Sequence, residues 1–176
     1  VWDEWVAWAV EHGYGGVENL SLIPGHVGAA PVQNVGAYGM EAGDTIYRVE
    51  AIRLDSAELV RIDATDCQFA YRDSIFKRLW KNQYLIARVI FRLTKKPEFR
   101  LEYGSIRNEL DQLGGEISLK NIRRAIIRIR QEKLPDVAVL PNAGSFFKNP
   151  VVSGEMAEKL LLQYPELPVY QVDDER

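Results

Sequence analysis

The chain has one cysteine, Cys67, and two histidines among its 176 residues. One thiol forms no internal disulfide, and a lone Cys with two His lacks the spaced ligand set of a zinc site. No metal is expected, and a reducing, cytoplasmic setting is the simplest reading. No apolar run reaches about 18 residues, so no membrane span is expected. The opening "VWDEWVAWAV" lacks the basic start of a signal peptide. The net charge of -3 comes with no long basic block, which argues against a nucleic-acid partner. Internal repeats and low-complexity tracts are missing too, as are a Walker loop and a GxGxxG fingerprint.

What is present suits a folded chain. Apolar residues make up 47%, enough for one domain core or parts of two. Residues 2–12 predict a helix, with Asp3 and Glu4 at its positive end. Trp2, Trp5, Val6, Ala9 and Val10 lie on one face, and Gly13 is a stop. Residues 13–44 hold most of the 13 glycines and show little periodicity. A stretch of that kind, with apolar residues scattered through it, is more often functional than disordered. Residues 45–63 predict a hairpin around "DSA". Residues 84–93 predict a strand rich in β-branched and aromatic residues. "EFRLEYGS" reads as a short strand or loop. Residues 118–131 predict a helix capped by Ser118, with Ile122, Ala125, Ile126 and Ile129 inward and its arginines outward. Ser153 caps a last helix to about Tyr164, which Pro165 stops. The fold class is α+β, with a boundary near 132–141.

Four stretches could carry chemistry. "IPGHVGAAPVQNVGAYG" offers backbone N–H groups with little side-chain cover, suited to an anion or a flat cofactor. A plain structural loop is the alternative. "YRDSIFK" presents Arg72, a fork-shaped cation for a carboxylate, unless it forms a surface pair with Asp73, as Lys77 could. "LEYGS" places Tyr103 in a loop, where it could cover a ligand or pack in a core. "NAGSFFKNP" sets Ser145 beside Gly144, with Lys148 and Asn149 close by. In an extended segment Ser145 and Phe147 share a face. A serine hydroxyl is a weak acid and can protonate only a strong base such as an enolate. Neither His12 nor His26 is near enough in sequence to suggest a triad.

Taken in order, "GVENLSLIPGHVGAAPVQNVGAYG", "YRDSIFK", "LEYG", "KLPD" and "NAGSFFKNPVVS" resemble the UDP-N-acetylenolpyruvoylglucosamine reductases of peptidoglycan synthesis, in the form that closes a tyrosine over substrate. The resemblance runs over nearly the whole chain. It implies that NADPH reduces a bound FAD, that hydride passes to C3 of an enolpyruvyl group, and that a serine protonates C2. By the same resemblance Arg72 steadies the enolate-like charge and Ser145 is the proton donor. Tyr103, Lys133 and Asn149 match substrate-binding positions. Tyr71 and Gly25, Val27, Gly28, Ala29, Asn34, Gly36, Ala37 and Gly39 match half of a flavin site. The implied division is a second FAD-binding domain over 1–134 and the start of a substrate-binding domain over 135–176. The implied small-molecule partners are UDP-N-acetylglucosamine enolpyruvate and NADPH.

The match departs from the family pattern at both ends. The family's N-terminal flavin domain is missing, and so is a C-terminal glutamate that partners the arginine. The ends look cut, so an internal fragment is expected. It should bind FAD poorly, lack reductase activity and tend to associate, where the full-length protein is expected to be a monomer. A non-catalytic flavin or nucleotide-sugar binding module is the rival reading. A covalent-flavin oxidase is disfavoured, because no His or Cys sits in a flavin-linking context. No role is assigned to His26.

Overall fold

The computed structural model describes residues 1–103, 105–136, 139–141 and 147–170. The chain separates into two compact units, Val1–Asn142 and Ala143–Arg176.

The first unit begins with helix α1, Trp2–Glu11, whose Trp2, Val6, Ala9 and Val10 are buried as the 3.6-residue spacing predicts. Trp5 is partly buried against the same core. Trp2 also donates its indole Nε1–H to the Leu20 carbonyl at 2.8 Å, so a large apolar ring carries a satisfied polar edge. Gly13, at φ 75°, turns the chain away from α1.

The glycine-rich stretch is more regular than its sequence suggests. It contains short 3-10 turns at Glu18–Leu20, Val27–Ala29 and Ala42–Asp44, and a small hairpin of β1, Gly36–Ala37, and β2, Met40–Glu41. Gly36 pairs with Glu41 and Ala37 with Met40. The two residues between the strands, Tyr38 and Gly39, both have positive φ, at 49° and 76°. That combination matches the twist of a two-residue hairpin. The pattern is only two residues long on each side, too short for alternation to reveal.

The expected hairpin and third strand form one antiparallel sheet. Its strands are β3, Ile46–Arg53; β4, Leu59–Asp63; and β5, Tyr84–Phe91, with β3 in the centre. Val49 lies opposite Ile62 on one side and Val89 on the other. Val49 and Ala51 face the core, and a register shift near Ile46 lets that residue face inward as well. On the other face Glu50 sits between Arg61 and Arg88, at 3.3 and 3.1 Å. These cross-strand ion pairs keep an otherwise uncovered face polar.

A second core joins α2, Ile106–Leu113, to α3, Leu119–Lys133. The sequence reading found α3 and missed α2. Ile106, Leu110 and Leu113 do fall at helical spacing, but α2 has only eight residues, five of them polar, so periodicity is faint. Ser118 caps α3 by accepting from the Asn121 N–H at 3.3 Å, and the predicted stripe Ile122, Ala125, Ile126 and Ile129 is buried. The expectation that every arginine faces outward fails for two. Arg124 and Arg128 are exposed, while Arg123 and Arg130 are half-buried. Seven residues apart, they flank the same side of the apolar stripe and reach over it. Arg123 grips Asp3 of α1 with two hydrogen bonds, 2.7 and 2.9 Å, and Arg130 lies near Tyr38, where its charge opposes the rise that burial gives the phenol.

In the second unit, Ser153 caps α4, Gly154–Gln163, by accepting from the Met156 N–H at 3.4 Å. Among the described residues, no helix is long and apolar enough to cross a membrane.

Candidate functional site

The β1–β2 hairpin is fixed by side chains from distant parts of the first unit. Arg72 donates from Nη2 to the Gly36 carbonyl at 2.5 Å. Asn19 donates to the Tyr38 carbonyl at 2.9 Å and also to the Arg100 carbonyl at 2.9 Å. Arg100 donates to the Gly39 carbonyl at 2.6 Å while pairing with Asp44 at 2.9 Å. Three carbonyls of the hairpin, those of Gly36, Tyr38 and Gly39, are thus held by side chains, which answers the requirement that backbone acceptors be satisfied.

The Arg72 guanidinium is placed from both sides. Its Nη1 lies 3.5 Å from Glu41 Oε1 of β2, and it stands over the Tyr71 ring at 4.9 Å from the ring centre. Arg72 itself has φ 54°, in the left-handed region that bulky residues seldom occupy. Such a conformation costs about 1–3 kcal/mol and is retained where surrounding contacts impose it. Gly36 must lack a side chain here, since a Cβ would lie 2.6 Å from Arg72 Nη1. The expected surface pairing with Asp73 does not form. Asp73 pairs instead with Arg78 at 2.8 Å, and Lys77 donates to the Arg72 carbonyl at 3.0 Å.

Asn34 is wholly buried, and both polar atoms of its side chain are hydrogen-bonded. Its Nδ2 donates to Glu41 Oε2 at 2.6 Å and to the Ala70 carbonyl at 3.1 Å, and its Oδ1 accepts from the Gly43 N–H at 2.7 Å. It therefore ties the hairpin to the "YRDS" turn. Ser74, also buried, makes the parallel tie by donating to the Val32 carbonyl at 2.7 Å. Burial pushes the Glu41 carboxyl above its ordinary range, against the opposing pull of Arg72 and the Asn34 hydrogen bond.

Two further predicted positions meet at the hairpin tip. A Cβ on Gly39 would sit 2.4 Å from the Tyr103 ring, so that ring lies directly over the glycine. Tyr103 remains half exposed. Gly25 and Gly28 lie in the other lobe of the loop. Gly25, at φ 111°, has open space where a side chain would begin, and Gly28 lies beside the Ile86 carbonyl. The 25–29 backbone thus has little side-chain cover, the property a flat polar ligand needs. Ala37 pairs within the hairpin. Lys133 ends α3 and is exposed, and Asn149 is exposed in the second unit. Ser145 lies outside the described residues. Two concave patches of the first unit, one beside α2 at Leu101, Arg107 and Leu110, one beside β3 at Tyr47 and Arg92, contain none of the predicted residues.

Sequence reasoning missed Glu41, Asn19, Ser74 and Arg100. Glu41 follows "GAYGM" by one position and carried no motif signal. Its role depends on a pairing across the hairpin that only the register makes visible.

No family model matches the chain. Curated relatives match it along its whole length. A UDP-N-acetylenolpyruvoylglucosamine reductase of Bacteroides fragilis is 50% identical over 176 residues, covering 100% of this chain and 52% of that protein. One from Bdellovibrio bacteriovorus is 49% identical over 174 residues, covering 99% and 52%. Among solved structures, the UDP-N-acetylenolpyruvylglucosamine reductase (MurB) of Thermus caldophilus matches with a TM-score of 0.60 at 23% identity, over 90% of this chain and 50% of that one. At that identity the structural match speaks for the α+β fold alone. The chain spans about half the length of the curated relatives it matches. Over that half, the chain is similar to UDP-N-acetylenolpyruvoylglucosamine reductases.

Proposed function

We propose that the protein containing this chain reduces UDP-N-acetylglucosamine enolpyruvate to UDP-N-acetylmuramate with NADPH and FAD, a step in making peptidoglycan precursors for the growing and dividing cell wall. The observation that carries this reading is the match to reductases along the whole of this chain, with Arg72 held by hydrogen bond and ion pair against the β1–β2 hairpin. The setting is cytoplasmic, in keeping with a single buried thiol. The division is a flavin-binding domain over 1–134 and the start of a substrate domain over 135–176.

The residues present fit a flavin. The 25–29 backbone is bare, Gly36, Ala37 and Gly39 form a fixed hairpin, and the Tyr71 ring lies beside Arg72. When bound and reduced, the flavin would supply hydride to the enolpyruvyl C3. The chain's own part is electrostatic and protonic. Arg72 faces the substrate carboxylate as charge gathers on C2, and a preset guanidinium stabilises that charge without having to reorganise. Ser145 donates the proton to C2, where an enolate is basic enough to take it. Asn34 acts by holding Glu41 and the turn before Arg72, since both of its side-chain N–H groups are already donated within the protein. Tyr103, over Gly39, covers the nucleotide end of the substrate, and Lys133 and Asn149 contact its polar groups.

The test is the protein expressed from its full reading frame, with Ser145→Ala as the variant. NADPH should still reduce the flavin, and reoxidation by the enolpyruvyl substrate should stop. Unchanged turnover would remove Ser145 from the reaction. Flavin or nucleotide-sugar binding with no turnover in the wild type would favour a binding module instead.

A further inference from the structure

Glu41 has no place in the reading of the reaction so far, yet among the described residues it forms an ion pair with Arg72. Its two oxygens are divided between two partners. Oε1 lies 3.5 Å from Arg72 Nη1, and Oε2 accepts from Asn34 Nδ2 at 2.6 Å. Asn34 is anchored in turn by the Gly43 N–H and the Ala70 carbonyl, two residues before Arg72. Both η nitrogens of Arg72 are therefore engaged by protein, Nη2 with Gly36 and Nη1 with Glu41, before any substrate arrives.

We propose that Glu41 is the resident counter-ion and positioning residue of Arg72. It fixes the guanidinium in the geometry the reaction uses and offsets its charge toward the incoming carboxylate. This inference rests on the reductase reading above. The carboxylate and guanidinium are partly screened, with side-chain exposures of 32% and 29%, so their interaction is stronger than that of a fully solvated pair. An arginine paired in this way attracts a ground-state carboxylate less than a bare one would. It keeps its orientation for the moment when substrate charge grows. Binding energy is thereby shifted from the substrate to the transition state, which raises kcat rather than lowering KM.

Glu41→Gln keeps the shape and removes the charge. Its carboxamide can still accept from Asn34, but its amide NH2 would face a guanidinium that can only donate. The full-length variant should therefore show KM and kcat falling together. KM should drop severalfold as the substrate carboxylate meets an uncompensated cation. The fall in kcat should reach about tenfold or more as Arg72 loses its alignment. Glu41→Asp, which restores the charge one methylene back, should bring KM toward the wild-type value. Thermal melting of all three proteins separates this outcome from a loss of fold. Unchanged KM and kcat in Glu41→Gln would overturn the proposal, as would a rise in KM at unchanged melting temperature.

A second readout does not depend on turnover. The Arg72 side-chain N–H resonances, assigned by loss in Arg72→Lys, should show restricted rotation in the wild type and averaging in Glu41→Gln. Identical spectra would contradict the positioning role. If the wild-type protein fails to turn over UDP-N-acetylglucosamine enolpyruvate, the reductase reading falls, and this spectrum still decides whether Glu41 positions Arg72.

Discussion

Asp3 meets Arg123 through two hydrogen bonds of 2.7 and 2.9 Å, whereas Glu41 meets Arg72 across 3.5 Å. The two pairs have comparable exposure, 26% and 15% against 32% and 29%. Yet their carboxyls move in opposite directions. For Asp3, burial would raise the carboxyl, but the Arg123 hydrogen bonds and the Leu22 N–H at 2.5 Å prevail and hold it below its ordinary value. For Glu41, burial prevails over Arg72 and Asn34 and lifts the carboxyl. The first pair clamps α1 to α3, with geometry close to the best a carboxylate can find. The second leaves an arginine anchored but not saturated, which suits the proposed meeting of Arg72 with a substrate carboxylate. Both carboxyls accept a direct hydrogen bond, but only Asp3 accepts one from its paired arginine, and Glu41 also lies near the like charge of Asp44.

The contrast can be broken most severely at the clamp. Asp3→Ala strands the half-buried Arg123 and the Leu22 N–H and should cost about 2–3 kcal/mol in urea unfolding. Next comes the support beneath the second pair. Asn34→Leu leaves the buried Gly43 N–H and Glu41 without their partner and should cost about 1–2 kcal/mol in the same measurement. The smallest effect belongs to Glu41→Gln, within about 0.5 kcal/mol at pH 7, because a single long ion contact at partial exposure contributes little.

The pH dependence sharpens the comparison. A depressed Asp3 stabilises the fold above its unfolded value, near 3.8, and that contribution is lost as pH falls through its lower folded value. A raised Glu41 does the reverse. Its contribution is full below about 4.5 and is lost as pH rises through the folded value. Stability measured from pH 3 to 7 should therefore rise relative to wild type for Glu41→Gln and fall relative to wild type for Asp3→Asn. Parallel curves would contradict the difference drawn between the pairs.

How much of this was legible in the sequence depended on how local each cause is. α1, α3 and α4 were readable because their periodicity and caps lie within one segment, as Ser118 and Ser153 show. The sheet was readable from its β-branched strands. α2 was too short and too charged to stand out, and the inward turn of Arg123 and Arg130 depends on α1 and Tyr38, far away in sequence. Arg72, Gly36, Gly39 and Tyr103 were singled out through resemblance, and the structure brings Arg72 to Gly36 and Tyr103 to Gly39. Glu41, Asn19 and Arg100 were missed because each acts on a backbone or side chain brought near only by folding.

Rapid mixing of the full-length protein and its Arg72→Ala variant tests the central claim most directly, with flavin absorbance followed through each half of the reaction. Reduction by NADPH should proceed at close to the wild-type rate in both. Reoxidation by UDP-N-acetylglucosamine enolpyruvate should slow by about 100-fold or more in the variant, the scale of losing one preset donor to a developing anion. Equal reoxidation rates, or equal slowing of both halves, would contradict the placement of Arg72 at the substrate carboxylate.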